Sequence, residues 1–160
     1  MAEPYPILPL HFAYGAHLDP TLMGTVCPAH RYLCRALLPD YALRFQGWSA
    51  RWGGATATIR PTPGATVHGV VFELTPADFD RLDRAEGYGG PGLAGNVADR
   101  IAQAVRLENG ETIEAQAYVL RPAPPGAPSR AYRWAMLVGM RRHALPATAI
   151  AAVEAEPTVD

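Results

Sequence analysis

The sequence predicts a mixed α/β (α+β) domain built on a mostly antiparallel sheet or small barrel, with flanking helices. Three observations predict it. Stretches rich in β-forming residues, bounded by Pro and Gly clusters, recur along the chain as far as residue 120. Asn109-Gly110 stands between two alternating segments and is the favoured two-residue hairpin turn. Helix-start signals interrupt and follow the strands, at Asp19-Pro20, Thr75-Pro76 and Ser129.

Taken in order, residues 8–14 read as a first strand closed by Gly15. Asp19 caps a short helix over residues 20–25, with Pro20 at its first position, where a missing N–H costs nothing. Residues 36–48, 55–60 and 67–74 read as strands, and Val70, Phe72 and Leu74 share one face of the last. Thr75-Pro76-Ala77-Asp78 starts a helix that runs to Glu86 and stops at Gly87. Residues 101–107 and 112–120 form the hairpin around Asn109-Gly110. In its second strand Ile113, Ala115, Ala117 and Val119 alternate with Glu114, Gln116 and Tyr118. Residues 121–128 hold four prolines and read as a rigid connector. Ser129 caps a helix over residues 130–143, with Tyr132, Met136, Gly139, Met140 and His143 on one stripe. A short helix over residues 146–155 ends the fold. The 160 residues make one domain, 1–160, with a core from about 8 to 155 and loose ends at 1–6 and 156–160.

Composition excludes several classes of function. Fourteen basic residues against fifteen acidic give a net charge of −1, which asks for neither nucleic acid nor an anionic membrane. All the basic residues are Arg; without Lys there is no Schiff-base amine and no P-loop lysine. Ser49 and Ser129 are the only serines, thin material for a serine hydrolase. Two cysteines make no disulfide framework, and no signal-peptide pattern opens the chain. The expectation is a reduced, cytoplasmic protein that takes a small molecule, binds no nucleic acid or membrane, and is a monomer or homodimer.

Four constellations carry chemistry. In the helix 76–86, Phe79, Leu82, Asp83 and Glu86 fall on one face. Phe79 and Leu82 mark it as buried, so Glu86 sits on the core-facing stripe at a helix C-terminus. The helix dipole and burial both push its pKa upward, toward the range of a general acid or base. The alternative is that Asp83 and Glu86 lie at the stripe's edge and pair with Arg. The glycine-rich stretch from Gly87 to Gly95 matches G-x-G-x-x-G in form, but it closes a helix where a dinucleotide fingerprint would open one. It reads instead as a lid, with Tyr88, Gly89 and Gly90 beside Glu86. Tyr14-Gly15-Ala16-His17-Leu18 runs from a strand into the Asp19-capped helix, and amides in such a turn make an anion site. Cys27, His30 and Cys34 invite a metal reading, but a fourth ligand and paired C-x-x-C units are lacking, so no metal is expected.

The segments together resemble the gamma-glutamylcyclotransferase-like superfamily. Phe12-Ala13-Tyr14-Gly15-Ala16-His17-Leu18 is similar to its F-A-Y-G-S-N-L signature, and Trp52-Gly53-Gly54-Ala55-Thr56-Ala57-Thr58-Ile59 to its W-G-G-x-A-T-I strand. Pro63-Gly64 with Val67-His68-Gly69-Val70-Val71 resembles P-G-x-x-V-x-G-V-V. Leu82-Asp83-Arg84-Ala85-Glu86-Gly87 resembles L-D-x-x-E-G. Pro128-Ser129, Tyr132, Gly139 and Leu145-Pro146 resemble the family's ending. The set runs in the family's order from Phe12 to Pro146. The resemblance implies a small β-barrel that releases 5-oxoproline from a γ-glutamyl compound without metal or organic cofactor. It implies Glu86 as the catalytic acid/base, and Tyr14, Gly15, Ala16, His17 and Leu18 as the loop holding the glutamyl end. Ala16 stands where the family has Ser, His17 where it has Asn, and Ala98 near the place of a family Tyr for which Tyr88 is a possible substitute. A non-catalytic binding or regulatory domain on the same fold is the alternative.

Overall fold

Five strands and four α-helices make up the computed structural model, which describes residues 9–160. The start of the expected first strand at residue 8, and the expected loose end at 1–6, lie outside the described residues. The strands are β1 (Leu10–Ala13), β2 (Arg31–Ser49), β3 (Gly54–Glu73), β4 (Ala98–Leu107) and β5 (Thr112–Leu120). They close into a barrel in the order β1-β3-β2-β4-β5. All pairings are antiparallel except the seam, where β1 meets β5 in parallel through His11 and Gln116.

The two segments 55–60 and 67–74 are one continuous strand. Prolines argue against a central strand because they cannot donate to the ladder. Here Pro61 and Pro63 fall where β2 is irregular too: the register shifts between Pro39 and Tyr41, and Asp40 takes a φ of +62°. The Asp40 carboxylate accepts the Gly64 N–H at 2.9 Å, which bridges the kink. A bulge bends and twists a strand without ending it. Two more shifts, at Tyr32/Cys34 and Gln46/Ser49, let the hairpin wrap far enough for the barrel to close.

The helices are α1 (Pro20–Val26), α2 (Pro76–Glu86), α3 (Arg130–Arg142) and α4 (Ala147–Glu154). The caps expected from sequence are made. Asp19 accepts from Thr21 N, Thr75 from Asp78 N and Ser129 from Tyr132 N. Gly87, left-handed at φ +74°, closes α2. Phe79 and Leu82 are buried, as are Tyr132, Met136, Gly139 and Met140 of α3. Phe12, Leu18, Ile59, Leu74 and Met136 fill the core with no exposure above 1%. The tail 156–160, expected to be loose, is docked. Val159 N–H donates to the Pro128 carbonyl at 3.0 Å, and the Asp160 carboxylate accepts the Arg130 N–H at 2.7 Å, at the α3 N-terminus. No helix of the described residues is long and apolar enough to cross a membrane.

Candidate active site

One cavity of about 590 Å³ opens at the end of the barrel where β1, the tip of the β2–β3 hairpin and the C-terminus of α2 meet. Beyond β1 the chain turns through one 3-10 turn, Ala16–Leu18, before α1. That turn aims His17 at the end of α2, and His17 Nδ1 lies 3.0 Å from Glu86 Oε1. Glu86 keeps 28% of its side-chain surface accessible and His17 16%, and both line the cavity. Among the described residues lining the cavity, Glu86 is the one carboxylate, beside three cations, Arg51, Arg84 and Arg121.

Glu86 and Asp83 part company. Asp83, one turn earlier, takes the ion pair with Arg100 at 2.8 Å and also accepts the Tyr118 hydroxyl. The Arg pairing weighed for both acids falls to Asp83 alone, and Glu86 pairs with a histidine. The upward shift expected for the Glu86 pKa is therefore corrected. Burial does push its carboxyl up, but the hydrogen bond and charge of His17, with the charges of His11 and Arg51 behind them, outweigh it. The net shift is below its ordinary 4.5, so Glu86 is a carboxylate ready to accept a proton.

The structure brings Tyr14, Gly15, Ala16 and His17 to the same cavity as Glu86. Tyr14 donates its hydroxyl to the Tyr118 carbonyl across the barrel, and burial raises its pKa. Gly15 is needed for close approach. A Cβ there would stand 2.9 Å from the Tyr132 hydroxyl, itself buried and accepting the Ala57 N–H at 3.0 Å. Leu18 is a correction. Its side chain is fully buried, and its N–H is used on the Gly15 carbonyl at 3.1 Å. The amides of Gly15, Ala16 and His17 precede or open the turn and so have no partner within it, and that of Ala16 faces the Tyr132 hydroxyl.

The lid is corrected as well. Tyr88, Gly89 and Gly90 do not line the cavity; Gly87, Asn96 and Val97 do. Asn96 folds the loop onto itself, accepting from Gly89 N and donating to the Gly90 carbonyl, each at 2.8 Å. Tyr88 turns away beneath the Arg100 guanidinium, 5.3 Å from its ring centroid. Ala98 is fully buried, opposite Leu120 in β4–β5, and the tyrosine that reaches Asp83 is Tyr118, which donates its hydroxyl to the carboxylate. At the metal candidate, Cys27 Sγ faces the Asp78 carbonyl and His30 Nδ1 lies 2.7 Å from the Cys27 carbonyl. Among the described residues no three or more His, Cys, Asp or Glu side chains converge on a metal-sized point.

Four side chains escaped the sequence reading. His11 is 4% exposed and lines the cavity. Trp52 lies edge-on to Tyr132 at 5.2 Å, and Arg51 lies over the Trp52 ring at the hairpin tip. The side chain of His17, discounted in favour of its amide, is the partner of Glu86. Strand alternation puts His11 on the face of Ala13 and Gly15, the signal that pointed to it.

Fold and site define a class: a small closed barrel with a cavity that joins a helix-end carboxylate to the turn after the first strand. The chain belongs to the family described as gamma-glutamyl cyclotransferase, AIG2-like, whose model matches residues 11–151. It is 31% identical to the mouse (Mus musculus) gamma-glutamylcyclotransferase and 29% to the human (Homo sapiens) one, over 86% of this chain and 72% of each relative. A solved structure titled gamma-glutamyl cyclotransferase superposes with a TM-score of 0.88 at 26% identity, covering 95% of this chain and 89% of that one. YkqA from Bacillus subtilis has the same fold at 17% identity, with a TM-score of 0.75.

Proposed function

We propose that this chain is a gamma-glutamyl cyclotransferase that releases 5-oxoproline and a free amine from a γ-glutamyl compound, with Glu86 as general acid and base. The observation that carries the reading is the Glu86 carboxylate, ionised, held at 3.0 Å by His17 and facing the turn of Gly15 across one cavity. Family membership and the names of the mouse and human relatives support the reaction class.

The substrate carries its own nucleophile. Its α-ammonium gives a proton to Glu86, and the freed nitrogen attacks the γ-carbonyl carbon. Ring closure is intramolecular, so the cavity's main task is to hold the substrate folded with those two atoms in contact. Glu86 then returns the proton to the departing amine as the carbon–nitrogen bond breaks, and the ring nitrogen's second proton leaves with that amine, which departs as an ammonium. The amides of Gly15, Ala16 and His17 meet the α-carboxylate or the oxyanion. Arg51 and Arg84 supply positive charge toward an anionic substrate. The chemistry draws on no group beyond the chain and its substrate.

Incubation with γ-glutamyl amino acids, γ-glutamyl amines and glutathione tests the reading. Release of 5-oxoproline from at least one, at an enzyme-like rate, is expected. Binding of these compounds without release would establish the non-catalytic alternative.

A further inference from the structure

We infer that His11 is a substrate-binding residue: its Nε2 accepts a hydrogen bond from the α-amino group of the γ-glutamyl substrate and aims that nitrogen at the γ-carbonyl carbon. The inference rests on the cyclotransferase reading of the same cavity.

The geometry of the barrel seam carries it. His11 is the residue through which β1 meets β5, and its Nδ1 lies 3.1 Å from the Gln116 carbonyl oxygen. A carbonyl only accepts, so Nδ1 carries the ring proton. In a neutral ring Nε2 is then an acceptor. Phe79 of α2 and Tyr118 of β5 pack edge-on against the buried ring, at 6.3 and 5.6 Å between centroids, and with the Gln116 contact they hold it in this orientation. Nε2 has no partner among the described residues. It is not among the sealed unpartnered atoms either, of which Asp78 Oδ2 is the one found. Since His11 lines the cavity, that lone pair faces the cavity. A fixed, buried acceptor left without a donor is a place for a ligand N–H.

The surroundings choose the donor. Glu86 of α2 and His17 of the turn lie near enough for their charges to act on His11, as does Arg100 of β4. Burial, aided by His17 and Arg100 against the pull of the Gln116 carbonyl and Glu86, brings the His11 pKa from 6.5 down to about 4, so the ring is neutral near pH 7. An ammonium group facing this wall meets two acceptors of different basicity. Glu86 removes one proton; His11 holds a second N–H without taking it. The α-nitrogen then has its lone pair directed at the γ-carbonyl carbon. The new carbon–nitrogen bond forms, the ring nitrogen gives up its second proton as the old bond breaks, and both protons end on the leaving amine, the first by way of Glu86, so the amine departs as an ammonium and the protein ends as it began.

The experiment separates the amine from the rest of the substrate. Compare γ-glutamyl-alanine with N-glutaryl-alanine, which keeps the carboxylate and the amide but lacks the α-amine. In His11→Phe, kcat/KM for γ-glutamyl-alanine should fall about 10- to 100-fold, the loss of one hydrogen bond to a charged group. The inhibition constant of N-glutaryl-alanine should stay within about twofold of wild type. His11→Leu is the second variant, equally without an acceptor, and the result counts in whichever of the two keeps the wild-type melting temperature. Equal losses for both compounds, or no loss for either, overturn the assignment. If the wild type itself releases no 5-oxoproline, the cyclotransferase reading fails instead. The dissociation constants of the two compounds, by calorimetry, then still report whether His11 discriminates the amine.

Discussion

Glu86 and His17 form the smallest unit of the account. A carboxylate at a helix C-terminus opposes the helix dipole, and burial adds to the cost. The His17 contact reverses the balance. Removing it in His17→Ala takes away the largest contribution that opposes burial, so the Glu86 pKa should rise. Glu86 must be ionised to take the substrate's proton, so activity is present above its pKa and lost as pH falls through it. The acid limb of the kcat/KM profile should therefore move to higher pH in His17→Ala. An unmoved limb would mean that His17 does not set the charge of Glu86. A second prediction concerns Gly15. In Gly15→Val the new Cβ, 2.9 Å from the Tyr132 hydroxyl, displaces it from the Ala57 N–H that it accepts. KM should rise and kcat fall together while the far-ultraviolet circular dichroism stays that of the wild type. Unchanged kinetics would make the turn a mere connector.

At this scale the position of Glu86 was legible and its ionisation was not. Thr75-Pro76, the Phe79–Leu82 stripe and Gly87 are local signals, and they fixed the helix and its last residue. The sign of the pKa shift depends on His17 and His11, which reach Glu86 only after β1 has entered the barrel. His11 was passed over for the same reason: its meaning comes from Gln116, more than a hundred residues away in sequence.

Among the elements, α3 shows how helix packing reaches the site. A Cβ at Gly139 would fall 2.1 Å from the Leu18 carbonyl carbon, so α3 lies directly on the backbone of the 3-10 turn that carries His17. Overpacking of this kind typically costs about 1–3 kcal/mol. Gly139→Ala should lower stability by at least that much, measured by chemical denaturation. It should also lower turnover, since the turn must move. Full activity in a folded Gly139→Ala protein would show that the turn's position does not matter to the chemistry. The caps, α2 and the β4–β5 hairpin were readable because each is specified within a few residues. The single β3 strand was not. Pro61 and Pro63 mark a break by local rules, and the matching irregularity at Pro39–Tyr41 on its partner is visible only once the two are paired. The docked tail escaped notice because Asp160 caps a helix that begins thirty residues earlier.

For the whole molecule, closing the barrel at the β1–β5 seam buries His11 as a neutral ring. Its pKa is about 4 folded against 6.5 unfolded, so between these values the unfolded chain binds more protons. The contribution is fully present above 6.5 and is lost progressively as pH falls toward 4, on the order of 3 kcal/mol in all. Denaturation midpoints of the wild type should fall more steeply over that window than those of His11→Phe, in which the other histidines remain. Parallel curves would mean that His11 is not buried neutral.

The central claim is that Glu86 moves the proton. Glu86→Gln keeps the size of the side chain and an acceptor for His17, but it cannot exchange a proton. The measurement is 5-oxoproline release from the best γ-glutamyl substrate by the folded Glu86→Gln protein. General acid–base catalysis contributes about 10²–10⁴-fold, so kcat should fall by that factor with the melting temperature little changed. A kcat within a few-fold of the wild type would contradict the account.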